Sequence, residues 1–156
     1  MEIKLIAVGT RMPDWVETAF EEYRKRLPRE INLRLIELTM PKRQKNTSTE
    51  QLIAKESALI LNHVSSKDYV IVLDEHGKNW SSKTLAIELK NWLQHGKDIC
   101  LLVGGPDGLS DDCKQRANAM WSLSALTLPH PIVRVMIPEQ IYRAWSIINN
   151  HPYHRE

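Results

Sequence analysis

The sequence predicts one α/β domain in which helices cover both faces of a mostly parallel sheet. Three observations predict this class. Short apolar segments alternate with amphipathic helical segments along the 156 residues, two of the apolar segments (69–73 and 99–103) carry no charged side chain, and no Pro- or Gly-rich linker divides the chain. Strands that are apolar throughout are typical of parallel sheets buried on both faces. The length fits a single domain spanning residues 1–156.

The first half of the chain predicts two strands and two helices. Residues 3–8 form an apolar strand, and Pro13 opens a helix that Pro28 ends, with an apolar stripe of Trp15, Ala19, Phe20, Tyr23 and Leu27. Residues 31–38 alternate between apolar and polar, as a strand does. Ser48 and Gln51 have capping-box spacing, which begins a helix carrying Leu52, Ile53, Leu59, Ile60 and Val64.

The second half continues the alternation. Residues 69–73 predict a strand, and Ser81 or Ser82 caps a helix that Gly96 stops, with a stripe of Leu85, Leu89, Trp92 and Leu93. Residues 99–103 predict another strand, and Ser110 begins a short helix. A last strand at residues 120–124 precedes a final helix whose apolar face carries Ile141, Ala144, Trp145 and Ile148.

Composition excludes several classes of protein. The chain is 42% hydrophobic and 26% charged, which is typical of a globular domain and not of a disordered one. Its apolar runs are too short to span a bilayer, and its first residues do not resemble a secretory signal, so we expect a cytoplasmic protein without a membrane partner. Cys100 and Cys113 are expected to be buried thiols. No Cys/His spacing predicts a zinc site, so we expect no metal.

The basic residues give a weak indication of a nucleic-acid partner. The net charge of +2 is too small to predict one by itself. Lys42, Arg43 and Lys45 nevertheless cluster in a stretch without acidic residues, between Glu37 and Glu50. This cluster is either a solvated loop or a contact to phosphates.

Three unusual segments follow predicted strands, at residues 74–78, 104–108 and 122–131. Ligands of open parallel sheets bind outside the carboxyl ends of the strands, so these segments are candidates for a ligand site. The glycines at 104–108 allow close backbone approach, although a plain turn explains them equally well. Segment 122–131 is uncharged, and prolines on either side of His130 stiffen it. It could enclose an adenine ring, or it could simply be a rigid loop that covers the end of the sheet. Nucleotide-binding glycine motifs are absent from the sequence.

Several motifs, in these segments and in the chain that follows them, together resemble one family. They are Leu73-Asp74-x-x-Gly77-Lys78-x-x-Ser81-Ser82, Gly104-Gly105-Pro106-x-Gly108, Ser122-Leu123-Ser124-x-Leu126-Thr127-Leu128-Pro129-His130, Glu139-Gln140-x-Tyr142-Arg143-Ala144 and Asn150-His151-Pro152-Tyr153-His154-Arg155. In this order and over the whole chain, they are similar to the SPOUT-class methyltransferases that modify N3 of a pseudouridine in 23S ribosomal RNA.

The resemblance implies a fold, a cofactor and partners. The fold would be of the SPOUT type, with a C-terminal trefoil knot, a rare exception to unknotted topology. The protein would be a homodimer that binds S-adenosyl-L-methionine and methylates ribosomal RNA in the assembled ribosome. The cofactor residues that it implies are Leu73, Gly104, Gly105, Leu123, Ser124, Ala125, Leu126, Thr127 and Leu128. Pro138 departs from the family pattern, and we expect a kink or a new helix start there.

Candidate catalytic groups follow from the chemistry that the resemblance implies. The imide N3–H of the base is weakly acidic, so a cation near the uracil oxygens would stabilise the anion that develops. Arg143 is the first candidate, although it could instead be an exposed residue or a dimer ion pair. His154 and His130 could act as bases or be structural. Tyr153 could stack on the base or hydrogen-bond to it, and Arg155 could contact phosphate.

Two other functions remain possible from the residues alone. One is a small hydrolase with His130 or His154 as its base, and the other is a non-catalytic ribosome-binding module that uses residues 42–45.

Overall fold

The structure is a computed structural model and describes residues 1–155. Strands and helices alternate along the chain, as predicted. Their bounds are β1 Glu2–Val8, α1 Asp14–Arg24, β2 Asn32–Leu38, α2 Thr49–Leu61, β3 Tyr69–Asn79, α3 Ser82–His95, β4 Ile99–Val103, α4 Asp111–Arg116, β5 Ala119–Ser122 and α5 His130–Ile148.

The strands form a parallel sheet in the order β2-β1-β4-β3-β5. Leu5 of β1 lies between Leu35 of β2 and Leu101 of β4, while Ile71 of β3 pairs with Leu101 and with Ala119 of β5. The predicted α/β class with a parallel sheet is therefore confirmed. Because the strands are parallel, their carboxyl ends, and the loops that follow them, lie at one edge of the sheet.

Alternating side chains of the strands pack on opposite faces of the sheet. On one face, Leu5 and Leu101 pack with the apolar sides of α1, α3 and α5, including Phe20, Leu89 and Ile137. On the other face, strand residues such as Ile6, Val72 and Leu102 pack with Ile60 of α2 and Cys113 of α4. All five residues of β4 are buried, which explains its uninterrupted apolar sequence.

The predicted capping residues of α2, α3 and α4 lie at the ends of these helices. Ser48 forms the complete capping box with Gln51, and Ser81, not Ser82, is the N-cap of α3. Gly96 ends α3 in the left-handed conformation, at φ +65°. Ser110 caps α4 by accepting a hydrogen bond from the Cys113 N–H.

Several details of the predicted elements are wrong. Trp15 is 52% exposed, and Val16 joins Phe20 on the buried side of α1, which ends at Arg24 instead of continuing to Leu27. In α2, the predicted core residue Leu59 is exposed and the buried side includes Glu56 and Ser57. The last strand ends at Ser122 instead of residue 124, and β3 continues beyond Leu73 to Asn79.

The final helix is continuous through Pro138, so the predicted alternative of a new helix start there is wrong. Pro138 is buried on the packed side of α5, and Pro131 occupies the first turn, where a missing N–H leaves no helical hydrogen bond unmade. Within residues 1–155, no helix combines the length and hydropathy needed to cross a membrane.

Candidate cofactor-binding site

A cavity of about 460 Å³ lies at the carboxyl-terminal edge of β3, β4 and β5. Its size is typical of small-molecule sites, and its position is where ligands of parallel sheets bind. The predicted cofactor residues line it, with the exception of Ala125, which is exposed in the same loop. The lining residues from that prediction are Leu73, Gly104, Gly105, Leu123, Ser124, Leu126, Thr127 and Leu128.

The glycine loop after β4 forms a tight turn at the wall of this cavity. The Gly108 N–H donates to the Gly105 carbonyl at 3.0 Å, and Gly108 has φ +87°, a conformation that favours glycine. A Cβ on Gly104 would lie 2.8 Å from the backbone of Gly108, so a side chain there would open the turn. The glycines therefore bring bare backbone to the cavity.

The loop between β5 and α5 also lines the cavity, and hydrogen bonds of its own side chains order it. The Ser122 hydroxyl donates to the Ser124 carbonyl at 3.0 Å, and the Ser124 hydroxyl accepts from the Leu126 N–H at 2.9 Å. Asn79 at the end of β3 donates to the Ser122 carbonyl at 3.1 Å. These bonds order the loop, while Leu126 itself is 74% exposed beside the cavity.

The charged side chains at the cavity are acidic. Asp74 and Glu75 line it, and the described lining residues include neither Lys nor Arg. Burial acts to raise the pKa of Asp74, but hydrogen bonds from the His76 backbone and ring, together with the nearby Lys114, outweigh it and lower the pKa. An ionised carboxylate therefore faces the cavity at neutral pH, which suits a ligand that carries positive charge.

His130 is the first residue of α5 and lines the same cavity. Burial and the nearby Arg134 lower the pKa of its imidazole, against a hydrogen bond to the Gly104 carbonyl that acts to raise it. The ring is therefore neutral at physiological pH. Through this hydrogen bond the ring contacts the glycine loop.

The structure brings the other three predicted catalytic residues together at the far end of α5. The Glu139 carboxylate accepts hydrogen bonds from Arg143 Nη2 at 2.7 Å and from the Tyr153 hydroxyl at 2.9 Å. The Arg143 guanidinium lies 5.2 Å from the centre of the Tyr153 ring, and His154 Nδ1 is 3.2 Å from the Ser146 hydroxyl. Burial and Glu139 raise the pKa of Tyr153, so its phenol is neutral.

Within one chain, this second cluster does not reach the cavity. Arg143 follows His130 by thirteen positions on one continuous helix. At 1.5 Å per residue, roughly 20 Å separate the two along the helix axis. None of Arg143, Tyr153 and His154 is among the described residues that line the cavity.

The predicted RNA-contacting residues are exposed. Lys42, Arg43 and Lys45 lie in the loop between β2 and α2, and Arg43 donates to the Thr49 hydroxyl at 3.0 Å. This loop follows the carboxyl end of β2, so it leaves the same edge of the sheet as the cavity, with β1 between β2 and β4. Arg155 is exposed near the end of the tail.

Three acidic residues at these two clusters had no predicted role. Asp74 and Glu75 fall in a segment singled out by its position after a strand, and Asp74 also belongs to a motif that carries the family resemblance. Glu139 orients both Arg143 and Tyr153, and its spacing of four residues from Arg143 was the available indication. Across residues 1–155, no group of three or more His, Cys, Asp or Glu side chains has the arrangement of a metal site.

Comparison with known proteins agrees with this geometry. Residues 1–154 match the family described as "Predicted SPOUT methyltransferase". Proteins called ribosomal RNA large subunit methyltransferase H are similar over their full length: the one from Hahella chejuensis is 55% identical and covers 100% of both chains. The one from Methylococcus capsulatus is 52% identical and covers 99% of this chain and 100% of its own.

A solved structure of a methylase family protein from Neisseria gonorrhoeae shares the fold, with a TM-score of 0.54 at 13% identity over 90% of this chain and 81% of its own. SPOUT methyltransferases take their methyl group from S-adenosyl-L-methionine. The family match over nearly all of the sequence and the two full-length relatives show that this chain belongs to the SPOUT methyltransferase family.

Proposed function

We propose that the protein transfers a methyl group from S-adenosyl-L-methionine to N3 of a pseudouridine in 23S ribosomal RNA. The names of the two full-length relatives support a large-subunit ribosomal RNA substrate. The observation that carries the proposal is the cavity at the sheet edge, which is lined by bare glycine backbone, an uncharged loop and acidic side chains.

The residues at this cavity fit the cofactor. The leucines of the loop at 123–128 offer apolar surface to an adenine ring, and the backbone there and at Gly104 offers hydrogen-bonding groups. Asp74 and Glu75 suit the positive charge of a sulfonium and an ammonium group. When bound, the cofactor supplies an electrophilic methyl group. The proposed cofactor residues are those named from the sequence, with Asp74 added.

The Arg143, Tyr153 and His154 cluster is the proposed partner of the base. Glu139 holds the Arg143 guanidinium and the Tyr153 hydroxyl, so these groups are oriented before a substrate arrives. Arg143 would stabilise negative charge on the uracil oxygens as the N3 proton leaves. Tyr153 would stack on the base, and His154 would accept the proton. His130 is proposed to act at the cavity itself, through its contact with the glycine loop.

The separation of the two clusters leads us to propose a homodimer with a shared site. One subunit would supply the cavity and its partner the cluster around Arg143, since a single chain keeps them roughly 20 Å apart along α5. Lys42, Arg43, Lys45 and Arg155 would then contact phosphates of the RNA, whose ribosomal location implies a cytoplasmic protein. We also propose that the family's trefoil knot encloses the cofactor loops.

The test uses ribosomes from cells that lack the gene. Purified protein and methyl-labelled S-adenosyl-L-methionine should place one methyl group on a 23S pseudouridine in assembled ribosomes, located by mass mapping of the RNA. Calorimetry should show that the protein binds S-adenosyl-L-methionine. A hydrolase or a non-catalytic ribosome-binding module would neither methylate the RNA nor bind S-adenosyl-L-methionine. Absence of methylation or absence of binding would overturn the proposal.

A further inference from the structure

Helix α2 buries two polar side chains on the side that packs against the sheet. Glu56 is 2% exposed and Ser57 is 3% exposed, while their neighbours Leu52 and Ile60 form the apolar part of the same side. Burying a carboxylate or a hydroxyl is costly unless each finds a hydrogen-bonding partner. Both side chains find theirs in the glycine loop that borders the cavity.

Glu56 lies directly against Gly105. Burial and the nearby Asp107 raise the pKa of Glu56, against a hydrogen bond from the Gly105 backbone N–H that acts to lower it. A Cβ on Gly105 would be 2.8 Å from one carboxylate oxygen and 3.0 Å from the other. Gly105 does not have a positive φ, unlike Gly108, so its backbone conformation is open to other residues. A side chain at position 105 would therefore displace the Glu56 carboxylate.

Further contacts fix the loop at its two ends. The Ser57 hydroxyl accepts a hydrogen bond from the Ser110 N–H at 3.2 Å, where the loop enters α4. At the other end, the His130 ring bonds the Gly104 carbonyl. Glu56 lies between these contacts and is the one that touches the turn itself.

We propose that Glu56 is a positioning residue for the methyl donor. Its carboxylate fixes the position of the Gly105 peptide. The turn from Gly105 to Gly108 then presents its backbone to the cavity in one conformation. A loop ordered in advance loses less conformational entropy when the ligand binds, so this contact contributes to affinity although Glu56 does not touch the cofactor. The inference rests on the proposed function, because it takes S-adenosyl-L-methionine as the ligand of this cavity.

The first test replaces Glu56 by two residues of similar size. Glu56→Gln keeps an oxygen that can accept from the Gly105 N–H, whereas Glu56→Leu removes it. We expect Glu56→Leu to raise the calorimetric Kd for S-adenosyl-L-methionine at least about 10-fold, and Glu56→Gln to stay within about 3-fold of the parent. The KM for the cofactor should rise in Glu56→Leu more than kcat falls. Lys55→Leu, an exposed neighbour on the same helix, is the matched control and should leave the Kd unchanged.

A second pair of variants changes the loop side of the same contact. This pair tests the role of Glu56 even if Glu56→Leu does not fold. Gly105→Ala should weaken cofactor binding, because its Cβ collides with the carboxylate. Adding Glu56→Asp, which shortens the side chain by one methylene, should restore part of the lost affinity. Restoration supports the proposal, and two purely additive losses overturn it.

The outcomes separate this inference from the proposed function. A parent protein that does not bind S-adenosyl-L-methionine would overturn the proposed function. A parent that binds it, with an unchanged Kd in folded Glu56→Leu, would overturn only the role of Glu56.

Discussion

Asp68 is a buried carboxylate that connects three parts of the chain near the amino-terminal ends of the strands. It accepts hydrogen bonds from Lys4 Nζ of β1 at 3.1 Å, from the Ser65 N–H at 2.8 Å and from the Cys100 thiol of β4 at 3.2 Å. Burial acts to raise its pKa, but these hydrogen bonds and the charge of Lys4 outweigh burial and lower the pKa below its usual value. Burial and the same carboxylate raise the pKa of Cys100 to about 12, so its thiol stays protonated.

The lowered pKa of Asp68 predicts a dependence of stability on pH. A carboxylate whose pKa is lower in the folded than in the unfolded chain stabilises the fold above its unfolded pKa, and this stabilisation is lost as the pH falls through the folded value. We expect Asp68→Asn to lower the free energy of unfolding by about 2 kcal/mol at pH 7. The difference from the parent should shrink as the pH falls below about 4.

Urea denaturation followed between pH 7 and pH 2.5 measures this difference. Glu30→Gln, which changes an exposed carboxylate, is the control and should follow the parent curve. If the gap between Asp68→Asn and the parent is constant with pH, the ionised form of Asp68 does not stabilise the fold.

At the scale of elements, β3 extends beyond the strand that its sequence predicts. It pairs with β5 at Leu73 and again at Lys78, both opposite Trp121, so residues 74–77 bulge out of the ladder. This irregularity brings Asp74 and Glu75 to the cavity and lets the strand continue to Asn79, which bonds the loop after β5. The pairing of β3 with β5 therefore also determines the shape of the proposed cofactor site.

The same bulge shows what sequence patterns can and cannot predict. The apolar run of β3 ends at Leu73, which predicted the start of the ligand-binding edge but not the polar strand beyond it. That second part is a strand because it pairs with β5. Such a tertiary contact cannot be predicted from the local sequence. Glu56 was missed for a related reason, since a carboxylate within a helix looks solvent-exposed until its partner loop is known.

Gly77 provides a test of the bulge. A Cβ there would lie 2.7 Å from the backbone of both Met120 and Trp121, atoms that cannot move without shifting β5. We expect Gly77→Ala to destabilise the protein by about 2–3 kcal/mol in urea denaturation and to weaken cofactor binding, because β5 leads into the loop at 123–128.

The comparison variant is Gly96→Ala. Gly96 has φ +65° but nothing within 4 Å of its Cβ position, so only backbone strain, about 1 kcal/mol, should appear, and cofactor binding should be unaffected. Equal losses of stability and affinity in both variants would contradict the proposed role of close packing between β3 and β5.

At the scale of the whole molecule, one chain carries two proposed functional clusters that it cannot bring together. The cavity lies at the start of α5, while Arg143, held by Glu139, lies thirteen residues further along the same helix. A rigid helix between them prevents closure within the chain. The proposed symmetric dimer would bring the two clusters together at two equivalent sites, because each subunit would offer its cavity to the other's cluster.

Mixed dimers test this arrangement. Gly104→Ala damages the cavity, because its Cβ would lie 2.8 Å from Gly108, and Arg143→Ala removes the proposed cation. Each homodimer should be nearly inactive. Consider a dimer with one subunit of each kind. If the sites are shared between subunits, one of the two sites carries both defects and the other is intact, so activity should return to about half of the parent value. If each subunit worked alone, both sites would stay damaged and the mixed dimer would be inactive. Purification through two different affinity tags isolates the mixed species, and methyl transfer to ribosomes measures its activity.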